Sequence, residues 1–491
     1  MRTLQTIVLG LFLGFLGGSC WAADVTGTIA GVVTDPSGAV APAVEVTVTN
    51  AGTNALFRGT SDAQGVYSIR LLPIGVYDLT AGLQGFKKYE RKGIRLQVNE
   101  IARVNITLEV GETIETVTVT GQATHVDITT ATLKTVVDMQ RVQDMPLNGR
   151  NPTQLIRLAP GVQVDRSDLT SGTTYPGVTP VSVNGGRGNM TNWVLDGAQN
   201  NDHYSNAPNP MPNPDALAEF SVQTNNFSAE FGRNAGGLVN AVTRSGANDL
   251  HGSAFEYVRN KAVNAANFFS PIVDGKKRDD GLKRNQFGFT VGGPVWVPKV
   301  YNGRDRSFFF FSYQGTTLRQ APNLVSRIVP TPAQRRGDFS ALLPRQQLRD
   351  PFGGPGAAYA NNQIPLSQFN PVSRTITDNY LPAPASGDRI AFSTVSNFDD
   401  NQVLVRGDHQ LSAANRLSGR YWKSWAEQPA SLDPRNYLTA VGGRQWFNKS
   451  ATVSDTHTLS PTVVNQFLFG YNHTDGPVVQ IGPERASPRW A

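Results

Sequence analysis

Hydrophobic and polar residues alternate in short runs along this chain, the period of half-buried strands. Val44, Val46 and Val48 alternate with Glu45, Thr47 and Thr49, and Val104, Ile106 and Leu108 with Arg103, Asn105 and Thr107. "TIAGVVTDPSGAV" reads as strand, turn, strand, with Asp35-Pro36-Ser37-Gly38 placing Asp, Pro and Gly where a type I turn wants them. Asp62-Ala63-Gln64-Gly65 is a second turn, and "VYSIRLLPIGVYDLTAGLQGF" gives two further strands. About seven strands in this first stretch predict one β-sandwich over residues 26–110.

The same period returns after residue 250. Phe287, Phe289 and Val291 take one face of "NQFGFTVGG", and Gln286, Gly288 and Thr290 the other. "SFFFFSYQG" sets Phe309, Phe311 and Tyr313 on one face, while Phe308 and Phe310 make the other less clean. Val403 and Val405 point away from Gln402, Arg406 and Asp408, and "RLSGRYWKSW" and "VVNQFLFGYNH" continue the pattern with aromatics near their ends. "PVWVPKVYNGRDRSFFFF" reads as a hairpin, and the Pro-rich polar stretch 319–400 as a long external loop. Apolar toward lipid and polar toward a lumen is the pattern of transmembrane antiparallel β-barrel strands, and about seven of them follow residue 251. For any one of these strands, an ordinary soluble sandwich strand is the plain alternative. Between the two regions, "MQRVQDMPLNGRNPTQLIRLAPGV" reads as a short amphipathic helix, an Asn-Gly turn and a second helix ended by Pro160-Gly161. Gly236-Gly237 allows close backbone approach, and Asp196-Gly197 and Ser245-Gly246 read as tight turns.

The N-terminus adds a leader. Met1-Arg2 is followed by an apolar stretch from Ile7 to Leu16 and by small residues ending in Cys20-Trp21-Ala22-Ala23, the tripartite secretory pattern. Residues 1–22 read as a signal peptide cleaved after Ala22. Cys20 as a lipidated residue is the alternative, against which Gly17 stands where such signals resemble one another in having Leu. No other apolar run reaches the roughly 20 residues of a membrane helix, so any membrane embedding falls to a barrel.

Composition agrees with many short strands. The 491 residues include 48 Gly, 31 Pro and one Cys, with 17% charged, against about 25% in ordinary globular chains. This excludes a coiled coil, a charge-driven disordered chain and a disulfide scaffold. The net charge of +6 is thinly spread. Its densest cluster, Lys276-Lys277-Arg278, sits among Asp274, Asp279 and Asp280 and reads as a solvated loop rather than a nucleic-acid face. No HExxH or HxxE pair surrounds any of the six His, "GGRG" (Gly185 to Gly188) lacks a phosphate-loop ending, and Gly-x-Ser-x-Gly is absent. No catalytic residue, metal ligand or cofactor site is expected, and no nucleic-acid partner.

Several long strings carry a family resemblance. "GVVTDPSGAVAPAVEVTVTN" and "TSDAQGVYSIRLLPIGVYDLTAGLQGF" resemble the carboxypeptidase regulatory-like module, whose carbohydrate-binding-like fold implies a structural or docking role rather than catalysis. "ETVTVTG" (Glu115, Thr116, Val117, Thr118, Val119, Thr120, Gly121) resembles the energy-coupling box of TonB-dependent outer-membrane receptors. An extended segment with a free edge adds as a strand to a partner sheet; a linker strand continuing the sandwich is the alternative. "VSVNGGRGNMTNWVLDGAQNND" and "AEFSVQTNNFSAEFGRNAGGLVNAVTRSGANDLHGSAFEY" resemble the plug of such receptors of the Oar-like type, with turns at Asn184, Gly185, Gly186, Asp196, Gly197, Gly236 and Gly237. A plug inside a water-filled barrel has a mostly wet surface, which fits its abundance of Asn, Ser, Thr and Gly.

The resemblance implies a mainly β chain: signal peptide 1–22, seven-stranded sandwich 26–110, coupling segment or linker 111–134, α+β plug 135–250, and the first strands of a transmembrane barrel over 251–491. It implies an outer-membrane receptor energised by a TonB-type inner-membrane protein, seated in outer-membrane lipid and taking up or exporting a siderophore, oligosaccharide or peptide. The family closes its barrel with 22 strands, so the chain is expected to be an N-terminal fragment. The alternative is a secreted carbohydrate-binding or adhesive β-protein using the sandwich, for which Phe57, Tyr67, Tyr77, Phe86 and Tyr89 are the available aromatic platforms.

Overall fold

The computed structural model describes residues 25–479 except 112–115, 120–131, 146, 165–177, 179, 233, 267, 269, 271, 274, 322–323 and 461–462. The expected leader with Cys20, together with Glu115, Thr120 and Gly121 of the expected coupling run, lies outside the described residues.

Strands β1 (Gly27–Thr34), β2 (Glu45–Asn50), β3 (Leu56–Thr60), β4 (Val66–Leu72), β5 (Gly75–Gly82), β6 (Lys88–Leu96), β7 (Ile101–Arg103) and β8 (Ile106–Thr107) make a sandwich of two sheets. One sheet has the order β4-β1-β7 with β8 also on β1. The other runs β3-β2-β5-β6 and is extended by β9 (Thr116–Val119). The alternating valines do what their period demands: Val44, Val46 and Val48 are fully buried. Both turns form as read, with Gly38 and Gly65 in the left-handed region and the Asp35 and Asp62 carboxylates accepting backbone N–H bonds. The final sequence strand divides in two, giving eight strands before β9. At the break Val104 N donates to Ala30 O at 2.8 Å, and Asn105 Oδ1 accepts from Val32 N at 3.2 Å. Gly31 is required opposite this break, because a Cβ there would lie 1.9 Å from Val104 O.

The middle of the chain builds a second sheet. Its strands are β10 (Leu133–Asp138), β13 (Asn192–Leu195), β14 (Ala198–Gln199), β15 (Leu217–Asn225) and β16 (Leu238–Thr243), in the order β10-β15-β16-β13-β14; β11 (Val162–Val164) and β12 (Val181–Val183) pair separately. The helix Met139–Asp144, capped by Asp138, and a helical turn Pro152–Leu158, capped by Asn151, cover one face. Trp193, Leu195, Phe220, Val222 and Val239 pack beneath them with Val142, Leu155 and Ile156. The second helix expected from sequence is 3₁₀ in form, and Pro160 ends it because the residue before a proline is pushed toward extended backbone.

The third region is a wall of long antiparallel strands. These are β17 (His251–Asn260), then, after a ribbon of β18 (Ile272–Val273) and β19 (Lys276–Lys277), β20 (Lys283–Pro294). Beyond a small ribbon of β21 (Trp296–Val297) and β22 (Tyr301–Asn302) come β23 (Ser307–Gln320), the loop pair β24 (Leu324–Ile328) and β25 (Arg389–Ser393), and β26 (Ser396–Ser412). β27 (Asn415–Gln428), the loop pair β28 (Ser431–Asp433) and β29 (Asn436–Val441), β30 (Gly443–Ser460), β31 (Val463–Asp475) and β32 (Val478–Val479) follow. The wall runs β17-β20-β23-β26-β27-β30-β31 with β32 folded onto β30, and among the described residues its edges β17 and β31 do not meet. Phe287, Phe289, Val405, Tyr421, Phe467 and Phe469 are exposed on the outer face, while Gln286, Thr290, Ser312, Gln314, Ser424 and Asn448 are buried on the inner one. The expected alternation is broken in two places, one of them where Ala426 and Trp446 are buried with Phe398 and Val178. At the other, Phe310, Leu404 and Trp422 point inward and are buried against Ala216 of the plug, so the lumen face carries an apolar plate where the plug rests on it.

Loop lengths orient the wall. The long connections β17–β20, β23–β26 and β27–β30 fall at one end, and the short ones 295–306 and 413–414 at the other. Barrels of the outer membrane have short turns on the periplasmic side and long loops outside. The Lys276-Lys277 ribbon is exposed in the first long loop, as the charge pattern suggested. The sandwich sits at the short-turn end, where Asp305 Oδ1 accepts from Asn54 Nδ2 at 2.9 Å and from Asn248 Nδ2 at 2.7 Å.

Candidate functional site

The plug is seated on the wall by an ionic cluster. Asp196 and Gly197 both take left-handed backbone (φ 48° and 81°) between β13 and β14, the two-residue hairpin geometry that Asp-Gly serves. The turn delivers the Asp196 carboxylate to Thr243, whose N and Oγ1 donate to it at 2.8 and 2.9 Å. It also brings Asp196 to Arg406 of β26 at 3.6 Å and to Arg420 of β27 at 2.9 Å. Arg406 makes a two-pronged contact with Asp408, both bonds 3.0 Å, and donates to Thr243 O at 2.8 Å. Among the described residues Arg420 otherwise donates to Ser450.

The register explains why a carboxylate is needed there. Arg406 and Arg420 are directly opposed across the β26–β27 ladder, and like charges in that position repel. Asp408 neutralises one of them from two residues along the same face. The plug supplies the second negative charge, so the wall is electrostatically complete only with the plug in place. A cavity of about 680 Å³ adjoins the cluster between sandwich, plug and wall, lined by Asn50, Arg244, Arg406, Arg416, His409 and Gln466 among others.

Many polar residues of the plug are buried and others, among them Asn184, Asn225 and Asn226, are exposed, so the expected wet surface is met only in part. Asn200, Asn201, Asn213 and Asn240 are each at most 3% exposed. They stand in for water by bonding backbone and neighbouring side chains: Asn201 Oδ1 accepts from Trp193 N at 2.8 Å, and Asn213 Nδ2 donates to Ser312 Oγ of the wall at 3.0 Å. Among the glycines singled out in the sequence, Gly236 and Gly237 sit where an added Cβ would lie 2.7 Å from Met190 O and from Val183 Cγ2. Asn184 and Gly185 take left-handed backbone (φ 50° and 79°), and Gly186 N donates to Val183 O at 3.0 Å. Gly246 differs from the turn expected of it. It lacks the positive φ of a tight glycine turn and instead lies against the wall, where a Cβ would meet Phe309 O at 2.4 Å.

The sandwich docks on the plug beside the run expected to be the coupling segment. Glu219 of β15 accepts from Val98 N, Lys134 Nζ donates to Val98 O at 3.1 Å and Asn99 O at 3.2 Å, and Asn240 Nδ2 donates to Asn99 Oδ1 at 2.8 Å. Burial pushes the Glu219 carboxyl up to about 7, against the opposing pull of the Val98 bond and Lys134. Thr116, Val117, Thr118 and Val119 form β9, paired in parallel with Lys88 to Arg91 of β6. It is the outermost strand of that sheet.

At the long-loop end, the plug tip 148–154 faces the wall across a second cavity of about 440 Å³. Arg150 pairs with the buried Asp215 and lies over the rings of Phe255 (4.0 Å) and Tyr257 (4.4 Å). Arg259 and Arg284 donate to Asn148 Oδ1 at 3.3 and 2.9 Å, and Gln286 Nε2 to Gly149 O at 3.1 Å. The sequence marks Gln286 as polar and inward-facing and Asn148-Gly149 as a turn, but plug tip and lumen-facing positions are more than 100 residues apart, so no pattern along the chain shows that they meet. No group of three or more metal-ligating side chains occurs among the described residues.

Comparison with known proteins places these parts. An outer membrane β-barrel domain model matches residues 242–487, a carboxypeptidase regulatory-like domain residues 28–109, and a TonB-dependent receptor plug domain residues 127–239. The TonB-dependent transporter Oar of Myxococcus xanthus is 30% identical over 342 residues, covering 65% of this chain and 30% of that protein. The chain thus spans under a third of this relative's length. Similar solved structures include the ferric enterobactin receptor of Pseudomonas aeruginosa (14% identity, 70% of this chain, 41% of that one, TM-score 0.40). The outer membrane transporter YddB of Escherichia coli is another (11%, 70% and 39%, TM-score 0.41).

Proposed function

This chain belongs to the TonB-dependent receptors of the outer membrane, of the Oar-like type with an N-terminal carboxypeptidase regulatory-like domain, and on that premise we propose that the whole protein moves a large ligand across that membrane by TonB-driven displacement of the plug. The family consists of receptors and transporters rather than enzymes. In this reading ligand is captured at the long-loop end and work enters at the short-turn end through residues 115–121. The observation that carries it is the seat of the plug: a wall with two opposed arginines that is neutralised by Asp196. Such a contact is strong when whole and costly when half-broken, so a pulled plug has a defined resting state and a barrier to leaving it.

The coupling strand suits the pulling role because it hangs on one edge. Four residues paired to β6 alone are removable without breaking the sandwich core, and a freed strand of that kind adds to a partner sheet. The glycan-binding reading of the sandwich loses its platforms: Tyr67, Tyr77 and Tyr89 are buried, and Phe57 and Phe86 pack against the same core.

The test is site-specific crosslinking in cells, with Thr118→Cys as the probe position. Thiol-specific capture of a TonB-type inner-membrane protein is expected, weakened when Val117→Pro and Val119→Pro disrupt strand addition. Correct outer-membrane insertion with no such capture in energised cells would refute the coupling assignment.

A further inference from the structure

The sandwich covers the plug seat at the short-turn end. Its β2–β3 turn, through Asn50 and Gly52, and its β4–β5 turn, through Pro73 and Gly75, close one side of the cavity of about 680 Å³. Asp196, Arg406, Asp408 and Arg420 border the same space, so the ionic cluster that holds the plug faces the sandwich across it. Arg406 and Asp408 keep 17% and 14% of their side-chain surface open. The cover is fastened at Asp305, in the connection between β20 and β23. Asp305 Oδ1 accepts from Asn54 Nδ2 of the sandwich and from Asn248 Nδ2 of the segment joining plug to wall. Asp305 N donates to Asn248 Oδ1 at 2.8 Å, and Asn248 N donates to Gly52 O at 2.9 Å. Sandwich turn, plug-to-wall segment and wall connection thus share one polar knot.

The two attachments of the sandwich differ in strength. At the knot, Asn54 and Asp305 are both exposed, and bonds between exposed groups are readily exchanged for bonds to water. On the plug, Val98 is fully buried and Glu219 and Asn240 are at most 7% exposed. Parting that interface uncovers apolar surface and breaks the bonds of Glu219 and Lys134 to the backbone of Val98 and Asn99 together. Residues 115–121 lie between sandwich and plug along the chain, so force applied there loads both bodies against the wall. The knot is then the first link to give. Lifting the sandwich turns from the wall opens the cavity to water, and water solvates the charges that separate when Asp196 leaves Arg406 and Arg420. The cost of orphaning a charge falls as that charge becomes hydrated.

We propose that the sandwich is a gate over the plug seat, latched to the wall by the Asn54–Asp305–Asn248 knot, and that its lifting admits water to the ionic cluster and lowers the barrier to plug release. The proposal rests on the receptor reading above and adds a regulatory step ahead of plug displacement. A closed gate keeps the seat shielded while no force is applied; an open one prepares the same seat to part.

The experiment uses the whole protein in the outer membrane of intact, de-energised cells, with Cys20→Ser and one reporter thiol at a time. Ser454→Cys on β30 borders the cavity and reads the gate; Ala216→Cys beneath the plug reads the seat. Asn54→Asp sets a carboxylate against Asp305 at a left-handed position (φ 57°) that Asp tolerates. Replacing a charge-assisted hydrogen bond by repulsion is expected to raise maleimide alkylation of Ser454→Cys about tenfold and that of Ala216→Cys several-fold. Adding Asp305→Asn should bring both rates back toward the parent, because its amide donates to the new carboxylate while its oxygen still accepts from Asn248. Unchanged amide exchange on β2 and β5 shows that the sandwich itself stays folded. A Ser454→Cys rate within about threefold of the parent in Asn54→Asp overturns the gate. So does a rise that Asp305→Asn fails to reverse, or one that leaves Ala216→Cys unmoved. Any of these leaves the receptor reading standing if Thr118→Cys still captures a TonB-type protein; loss of that capture with the gating response intact sinks the receptor reading instead.

Discussion

Removing the Asp196 carboxylate is expected to unseat the plug, and the structure sets the size of the effect. In Asp196→Ala, Arg406 keeps its two bonds to Asp408, but Arg420 loses the one carboxylate it pairs with among the described residues while its side chain remains 2% exposed. Stripping one partner from a buried ion pair costs about 3–5 kcal/mol. The two bonds from Thr243 add about 1 kcal/mol each, offset where water enters the vacated space. At 1.4 kcal/mol per tenfold, the ion-pair loss alone raises the unseated population roughly a hundred- to a few thousandfold. Ala216 is the place to read it, since it is fully buried against Phe310, Leu404 and Trp422. With Ala216→Cys as the reporter and Cys20 replaced by serine, the alkylation rate by a maleimide tracks the unseated fraction. Adding Arg420→Met to Asp196→Ala should recover most of the protection, because removing both charges is far cheaper than orphaning one. An Asp196→Ala rate within threefold of the parent would refute the idea that this cluster holds the plug.

Three further outcomes follow from the same structure. Glu219 binds its proton more tightly when docked than the ordinary carboxyl value of 4.5, so the docked state holds more protons between there and about 7, and sandwich–plug docking should weaken as pH rises through that window by up to about 3 kcal/mol, then level off. Denaturant melts at pH 5 and pH 8 would show this difference in the parent and a flat response in Glu219→Gln. Gly236→Ala should cost about 1–3 kcal/mol, because its methyl meets the unyielding Met190 carbonyl, and Gly237→Ala should cost less if Val183 turns aside, both measured as shifts in the unfolding midpoint. Val117→Pro combined with Thr118→Pro removes two N–H groups from β9, so amide exchange on Lys88 to Arg91 of β6 should accelerate while that of β1 is unchanged.

The alternation of valines in β2 and of aromatics in β20 and β31 was enough to separate a sandwich from a lipid-facing wall, because a period of two assigns faces whatever the strand pairs with. Turn chemistry was legible for the same reason: Asp35, Asp62 and Asp196 with their glycines impose local backbone that needs no tertiary contact. Two kinds of residue escaped that reading. Phe310, Leu404 and Trp422 broke the apolar-out rule because the plug covers the inner face at that point, and nothing in the strand says what will lie against it. Arg406 and Arg420 belong to different strands, and Asp196 is some two hundred residues earlier, so their convergence depends on ladder register and on where the plug comes to rest. The buried asparagines of the plug make the same point, since only the packed structure shows them bonded to backbone in place of water. Sequence by itself determined which face of each strand and which turns; the tertiary structure decided which charges meet, because an ion pair is fixed by distance in space and a period along the chain carries none.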